Sequence, residues 1–335
     1  MIKHFIHIQD FSKEELLDMI ELTGRIKAAD KEGVQLKLLE GASLAMLFEE
    51  PSTRTRVSFE VAMTELGGHA LYLKPGEIHL GERETIADTA RVLSRMCDVI
   101  EARTLKHQTV IELAKYASVP VINGLTDFNH PTQVVCDVLT MIEHSSAGKK
   151  IKDIQVTFVG DSTNVLCSLM CICTKLGMKF THAAPRPYQP PEPWRKTAEM
   201  NCALSGGKLV ITDDPILAVR DADFIYTDLW WWVGQEAEIP ERRASFMPKF
   251  QVNMDLLAKA PSTCKLMHCL PASRNVEATD EALDSAQYII FDQAENRLHT
   301  EKGVLVYFVY PTLKRPSNER VNFHKKNVLS LLKKI

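Results

Sequence analysis

Short apolar runs alternate along this chain with segments whose apolar residues return every three or four positions. Leu44, Ala45, Met46, Leu47 and Phe48 form one such run, and Phe59, Ala62, Met63 and Leu66 then recur at i, i+3, i+4 and i+7. That pairing predicts a strand turning into an amphipathic helix. An earlier helix is expected over 12–29, opened by Ser12-Lys13-Glu14-Glu15 in the form of a capping box. Further strands are expected at 70–73, 98–102 and 119–123, with 76–81 as a loop and helices at 85–96 and 109–116. A helix with the apolar face Val135, Val138, Leu139 and Ile142 follows.

Around Ser145, Ser146, Ala147 and Gly148 the sequence becomes small and polar, as at a domain boundary. The alternation then restarts. Strands are expected at 154–159, 179–184, 209–211, 224–226 and 289–291, with helices at 163–176 and 192–204 and a stiff Pro-rich connector over 185–193. The pattern predicts an α/β protein of two doubly wound parallel-sheet domains, 1–146 and 147–315, with a cleft at the carboxyl ends of their strands. Val321, Val328, Leu329, Leu331 and Leu332 lie among many Lys and Arg and predict an extra C-terminal amphipathic helix in 316–335.

Composition narrows the function. With 335 residues, 45% of them hydrophobic, the chain can bury two ordinary cores, and a net charge of -3 provides no bulk field to recruit nucleic acid or anionic lipid. No apolar run approaches the roughly 18 residues of a membrane span. The first residues lack a signal-peptide core, so the eight cysteines read as reduced thiols of a cytoplasmic protein. Cys167, Cys171 and Cys173 fall in a segment that reads as a buried helix, where core packing is expected rather than a metal. The turn Gly160-Asp161-Ser162 lacks the glycines of a dinucleotide fingerprint, and no Walker-type phosphate loop occurs. No cofactor is expected.

Polar residues with chemical potential cluster where strands should end. Ser52-Thr53-Arg54-Thr55-Arg56 opens a helix, so backbone N–H groups, three hydroxyls and two guanidinium forks could converge on an oxyanion. A hydroxyl-rich cap beside two solvated arginines is the plainer alternative. Arg103 follows one strand, Asn129-His130-Pro131-Thr132-Gln133 another, and His268-Cys269-Leu270-Pro271 a third, while Glu295-Asn296-Arg297 opens the last long helix.

These four motifs, in this order and spanning nearly the whole chain to about Pro311, resemble the ornithine/aspartate carbamoyltransferase family. The resemblance implies an N-terminal carbamoyl phosphate domain, a C-terminal domain for the amine, and a homotrimer with active sites shared between subunits. It implies that Ser52, Thr53, Arg54, Thr55 and Arg56 grip carbamoyl phosphate with Arg103, and that His79 reaches into an adjacent subunit's site. His130 and Gln133 would meet the carbamoyl group, Arg297 would add positive charge, and Cys269 and Leu270 would face the carbamoyl amide and the attacking amine. Arg54, Arg103, His130, Cys269 and Arg297 are thus the expected catalytic set, needing neither metal nor protein nucleophile.

On the amine side the resemblance implies Asn164 and Asp228 as ligands, with Trp232, Pro271 and Ala272 lining the pocket. Where ornithine-specific members carry Ser-Met-Gly, this chain reads Trp232-Val233-Gly234. An apolar loop there suits a diamine lacking a carboxylate, because a buried, unpartnered carboxylate costs several kcal/mol. That loop, Ala272 and the C-terminal helix resemble members acting on putrescine, in the direction of agmatine breakdown. Two alternatives remain: an ornithine enzyme, in which the tryptophans merely pack beneath the loop, and a non-catalytic regulatory homologue.

Overall fold

The computed structural model describes residues 2–74, 76–78, 80–81, 83–232 and 234–333. The first half of the chain forms α1 (Lys13–Lys31), β1 (Ser43–Phe48), α2 (Thr53–Glu65), β2 (His69–Leu73), α3 (Ile86–Leu93), β3 (Val99–Arg103), α4 (His107–Tyr116), β4 (Val121–Leu125) and α5 (Pro131–His144). Next come β5 (Gln155–Val159), α6 (Asn164–Leu176), β6 (Lys179–Ala183), α7 (Glu192–Ser205), β7 (Lys208–Thr212), α8 (Pro215–Val219) and β8 (Phe224–Thr227). The chain ends with α9 (Ile239–Phe246), α10 (Met254–Leu257), β9 (Lys265–His268), α11 (Asp280–Leu283), α12 (Ile290–Val309) and α13 (Asn318–Leu332).

Local chemistry explains several of these boundaries. Ser12 Oγ accepts the Glu15 N–H at 3.2 Å while Glu15 Oε2 accepts the Ser12 N–H at 2.8 Å, completing the capping box that starts α1. Gly177 and Gly206 close α6 and α7 with φ of 89° and 79°, in the left-handed region that a Cβ disfavours.

Both sheets are parallel throughout, with strand orders β2-β1-β3-β4 and β7-β6-β5-β8-β9. Strand order reverses between β1 and β3 in the first and between β5 and β8 in the second. Connections leave those neighbours on opposite sides, opening a crevice at the carboxyl ends. The period of two is visible in β1. Leu44, Met46 and Phe48 enter the large core, whereas Ala45 and Leu47 join a smaller cluster with Ala90, Val110 and Leu113.

After completing the second sheet the chain returns to the first, because α12 packs against α1, α2 and α5. Lys302, 2% exposed, bonds Asp30 and Glu65 at 2.5 Å each and so ties α12 to α1 and α2. Gly303 permits close approach there, since a Cβ would overlap Thr23 Oγ1.

The strand expected at 289–291 is instead the entry to α12. Three consecutive apolar residues suit a strand or a first helical turn equally in sequence, and only Ile289 and Ile290 are buried while Phe291 is exposed. Among the described residues a single bridge, Leu266 to Tyr288, continues the sheet there, with Leu266 N–H donating to Gln287 O at 2.8 Å and Ile289 N–H to Leu266 O at 3.1 Å. Glu295-Asn296-Arg297 accordingly lies in the second turn of α12 and does not open it. The C-terminal helix forms as read, and its Val321, Phe323, Val328, Leu329, Leu331 and Leu332 are all exposed on the single chain.

Candidate active site

The two crevices face each other across a cleft of about 80 Å³. Ser52, Arg54, Thr55, Arg103, His130 and Gln133 line it from the first half of the chain; Asp228, Leu229, Trp232, Cys269, Leu270 and Pro271 line it from the second, and Arg297 enters from α12. Ser52 is the N-cap of α2, its Oγ accepting the Thr55 N–H at 3.4 Å. The first turn thereby presents N–H groups and a positive dipole end beside Arg54. Burial lowers both Arg54 and Arg103, the latter to about 10, yet each remains a cation at neutral pH. Arg103 Nε has no hydrogen-bond partner among the described residues.

Arg56 and Thr53 lie elsewhere. They line a neighbouring groove of about 700 Å³, where the Arg56 guanidinium covers the Tyr72 ring at 3.8 Å and Nε pairs with Glu60 at 3.3 Å. The reading of two converging guanidinium forks is corrected accordingly: residues two apart on a helix diverge by about 200°.

His130 ends the segment after β4 and is held by the second half of the chain. Its N–H donates to Ser168 Oγ at 2.9 Å, and Asn164 Nδ2 donates to Thr126 O at 2.6 Å. Burial, then Arg297, Arg103 and Arg54, depress His130 well below the ordinary imidazole range, so it is neutral at physiological pH. Nε2 faces Arg297 Nη1 at 3.5 Å, which favours the tautomer protonated at Nδ1, and Nδ1 has no partner among the described residues. A neutral N–H donor is therefore available in the cleft.

Arg297 is fixed by Gln133 Oε1 at 2.7 Å and by Glu301 Oε1 at 2.5 Å. Gln133 Nε2 donates to Asp137 Oδ1 at 2.8 Å, as does Gln293 Nε2 at 2.7 Å. Gln293 Oε1 in turn accepts the His268 N–H at 3.0 Å. Sequence reading passed over Asp137, Gln293, Glu101 and Glu301. Only the i, i+4 step from Gln133 to Asp137, on an otherwise apolar helix face, could have signalled this network.

The Cys269 thiol donates to Asp228 Oδ1 at 3.1 Å, and Thr163 Oγ1 donates to Oδ2 at 3.0 Å. Burial and then the Asp228 carboxylate push the thiol well above its ordinary range. A protonated thiol is a donor, not a nucleophile. Leu270 has φ 59°, costly for a branched residue, and its N–H donates to His268 Nδ1 at 2.8 Å. Asp228, His268 and Cys269 each bring one potential metal-ligand atom within 4.8 Å of the others. Both His268 nitrogens are already engaged, Nδ1 by Leu270 and Nε2 by Glu277 Oε1 at 3.2 Å, so the arrangement serves the Leu270 turn.

The three tryptophans divide. Trp230 is buried, stacked on Phe246 at 5.0 Å, with its carbonyl accepting from Arg242 Nη1 at 2.8 Å, and Trp231 packs on the same cluster. Trp232 alone of the three lines the cleft. Asn164 Oδ1 is buried without a partner among the described residues, while its amide is committed to Thr126. Ala272 is not among the lining residues and packs beside the second core. His79 and Val233 lie outside the described residues.

Models of the aspartate/ornithine carbamoyltransferase carbamoyl-P binding domain and Asp/Orn binding domain match residues 3–143 and 152–308. The chain belongs to this family. Among similar carbamoyltransferases, a putrescine carbamoyltransferase from Mycoplasma capricolum is 53% identical over 334 residues, covering 98% of this chain and 92% of that one. An ornithine carbamoyltransferase from Pyrococcus abyssi is 52% identical over 298 residues, covering 89% and 93%. The solved ornithine carbamoyltransferase from Pyrococcus furiosus superimposes with a TM-score of 0.88 at 51% identity, over 93% of this chain and 98% of that one. The protein is thus a carbamoyltransferase, with two parallel-sheet domains as its sequence predicts.

Proposed function

We propose that this carbamoyltransferase moves the carbamoyl group reversibly between carbamoyl phosphate and putrescine. The observation that carries the reading is the lining of the amine side. Among the described residues, those from the second half of the chain before α12 are Val165, Asp228, Leu229, Trp232, Cys269, Leu270 and Pro271, and none is cationic. An amino acid's carboxylate would find no counter-charge there, whereas Asp228 and the Trp232 face suit a second ammonium. The Mycoplasma putrescine enzyme also matches over 334 residues, against 298 for the Pyrococcus abyssi ornithine enzyme.

In the reaction, a neutral amine attacks the carbamoyl carbon, negative charge grows on the carbonyl oxygen, the carbon–oxygen bond to phosphate breaks, and the proton shed by the amine leaves on the departing phosphate. His130 Nδ1–H and Arg54 answer the first charge; Ser52, Thr55, Arg54 and Arg103 answer the second. Arg297 holds Gln133 toward the carbamoyl nitrogen, and Cys269 and Leu270 orient the amine. Domain limits at 146 and 315, a cytoplasmic homotrimer with His79 supplied across the interface, and α13 covering a neighbouring subunit complete the proposal. Phosphorolysis of N-carbamoylputrescine, in agmatine breakdown, is its proposed physiological direction.

An ornithine activity is the second reading, favoured by 52% identity to the Pyrococcus abyssi enzyme. The ratio of kcat/KM for putrescine and ornithine, with carbamoyl phosphate saturating, separates the two. A preference for ornithine would overturn the putrescine assignment, and absence of turnover with either amine would favour the non-catalytic homologue.

A further inference from the structure

Behind the arginines lie two carboxyl groups, Glu301, which holds Arg297, and Glu101, to which the site as described gives no part. Glu101 and Arg103 are two apart on β3 and share a face. Glu101 is fully buried and neither of its oxygens has a hydrogen-bond partner among the described residues. Its carboxyl occupies the space over Gly124, where a Cβ would overlap Oε1 and come 3.4 Å from Thr55 Cγ2, so it sits directly behind the first turn of α2. Glu301, one turn beyond Arg297 on α12, is equally buried. Its Oε1 takes Arg297 Nη2 at 2.5 Å and Nε at 3.2 Å, and its Oε2 has no partner among the described residues. Three of the four carboxylate oxygens are therefore orphaned in the interior.

Two neighbouring buried carboxylates with so few partners cannot both stay ionised. Burial raises Glu301 too, but its two bonds from the Arg297 guanidinium favour it as the anion, whereas Glu101 has no guanidinium bonded and is the acid. Burial first, then repulsion from Glu301, pushes Glu101 well above the usual carboxylate range against the opposing pull of Arg103 and Arg297.

We propose that Glu101 and Glu301 are positioning residues acting through Arg103 and Arg297: they hold one proton between them, and Glu101, kept neutral, leaves the arginines the net positive field that a phosphate dianion needs. The inference rests on the reading of this cleft as the phosphate site. Arg103 from β3 and Arg297 from α12 face Glu101, and Arg297 and the Cys136 thiol of α5 face Glu301, while Arg54 from α2, Glu50 from the β1–α2 connection, and His130 and Asp137 from the α5 side surround those arginines. Ionising Glu101 places an anion beside Arg103 and weakens dianion binding. By reciprocity, a bound dianion holds the proton on Glu101.

The test is calorimetric titration with sulfate, which stays doubly charged and adds no titration of its own. For the wild type, affinity should fall about tenfold or more as rising pH ionises Glu101, with net proton uptake on binding when buffers of different ionisation enthalpy are compared. Glu101→Gln, isosteric with the neutral acid, should lose Glu101's share of that fall and of the proton uptake and keep only what Asp137, present in both proteins, contributes. Equal pH dependence in both proteins overturns the inference. Should Glu101→Gln fail to fold, wild-type binding without proton uptake at any pH overturns it alone. Sulfate that fails to bind, or binds equally well to Arg54→Ala, defeats the phosphate reading and this inference together. Binding that requires Arg54 but lacks the Glu101 effect defeats the inference only.

Discussion

The Cys269 thiol gives its hydrogen to Asp228 Oδ1 across 3.1 Å, joining the loop after β9 to the end of β8 at the mouth of the cleft. The thiol is held protonated by burial and by that carboxylate. Cys269→Ser keeps a donor to the Asp228 carboxylate in place and should reduce kcat/KM only about tenfold, the cost of shifting that one hydrogen bond. Pre-steady-state mixing should show no burst of phosphate release. A loss equal to that of a catalytic nucleophile would refute the positioning role.

Arg54 is the cation that the proposed mechanism sets against both developing charges, and it lines the cleft with Arg103, Arg297 and Cys269. Arg54→Ala should lower kcat about 100- to 1,000-fold or more, with unchanged circular dichroism and oligomeric state. Arg56→Ala should leave kcat within about threefold, since that side chain lines the neighbouring groove with Tyr72 and Glu60.

Trp232 is the tryptophan that faces the cleft. Trp232→Ser should raise the ornithine-to-putrescine ratio of kcat/KM about 10- to 100-fold by admitting a carboxylate and its hydration. The same change at Trp230, the buried root of the loop, should instead lower thermal stability by several degrees, because a large stacked side chain is lost. An unchanged ratio in Trp232→Ser would remove the loop from amine selection.

Asp137 is buried with a pKa raised to about 7, desolvation outweighing its bonds from Gln133 and Gln293. A carboxyl whose folded pKa lies above its unfolded value favours the fold most while protonated. Its contribution is therefore complete below about pH 4 and is lost as pH rises through about 7. Asp137→Asn mimics the protonated form. Urea unfolding should find the variant's stability relative to wild type rising by a few kcal/mol, in order of magnitude, from about pH 5 to about pH 8. A constant difference across that range would contradict the assignment.

Gly303 lies in the middle of α12, where alanine ordinarily stabilises a helix by about 1 kcal/mol. Here a Cβ would overlap Thr23 Oγ1 and lie 2.9 Å from Thr23 Cβ and 3.1 Å from its Cα, so backbone must move. Gly303→Ala should destabilise by about 1–3 kcal/mol in chemical unfolding, and a gain in stability would mean that α1 and α12 separate more readily than their packing suggests.

Much of this was legible along the chain, and the reason is physical. Helix caps, strand periodicity and turns depend on residues a few positions apart, so Ser12, the run from Leu44 to Phe48 and the Ser52 cap announced their elements directly. Motifs at strand ends became a site because parallel sheets bring carboxyl ends together. The strand expected at 289–291 went astray because three apolar residues carry no period.

The sequence by itself determined the two-sheet plan, the family and the residue types available to carbamoyl phosphate. Tertiary structure decided which of them meet: Arg54 without Arg56, Trp232 without Trp230, and Asp137 behind Gln133. It alone brought Glu101 toward Glu301, 200 positions away in the chain, behind the same arginines. Such pairings depend on how α12 packs back across the first half of the molecule. No local pattern encodes that distance, because the forces that set it, burial and close packing, act between surfaces and not between neighbours in sequence.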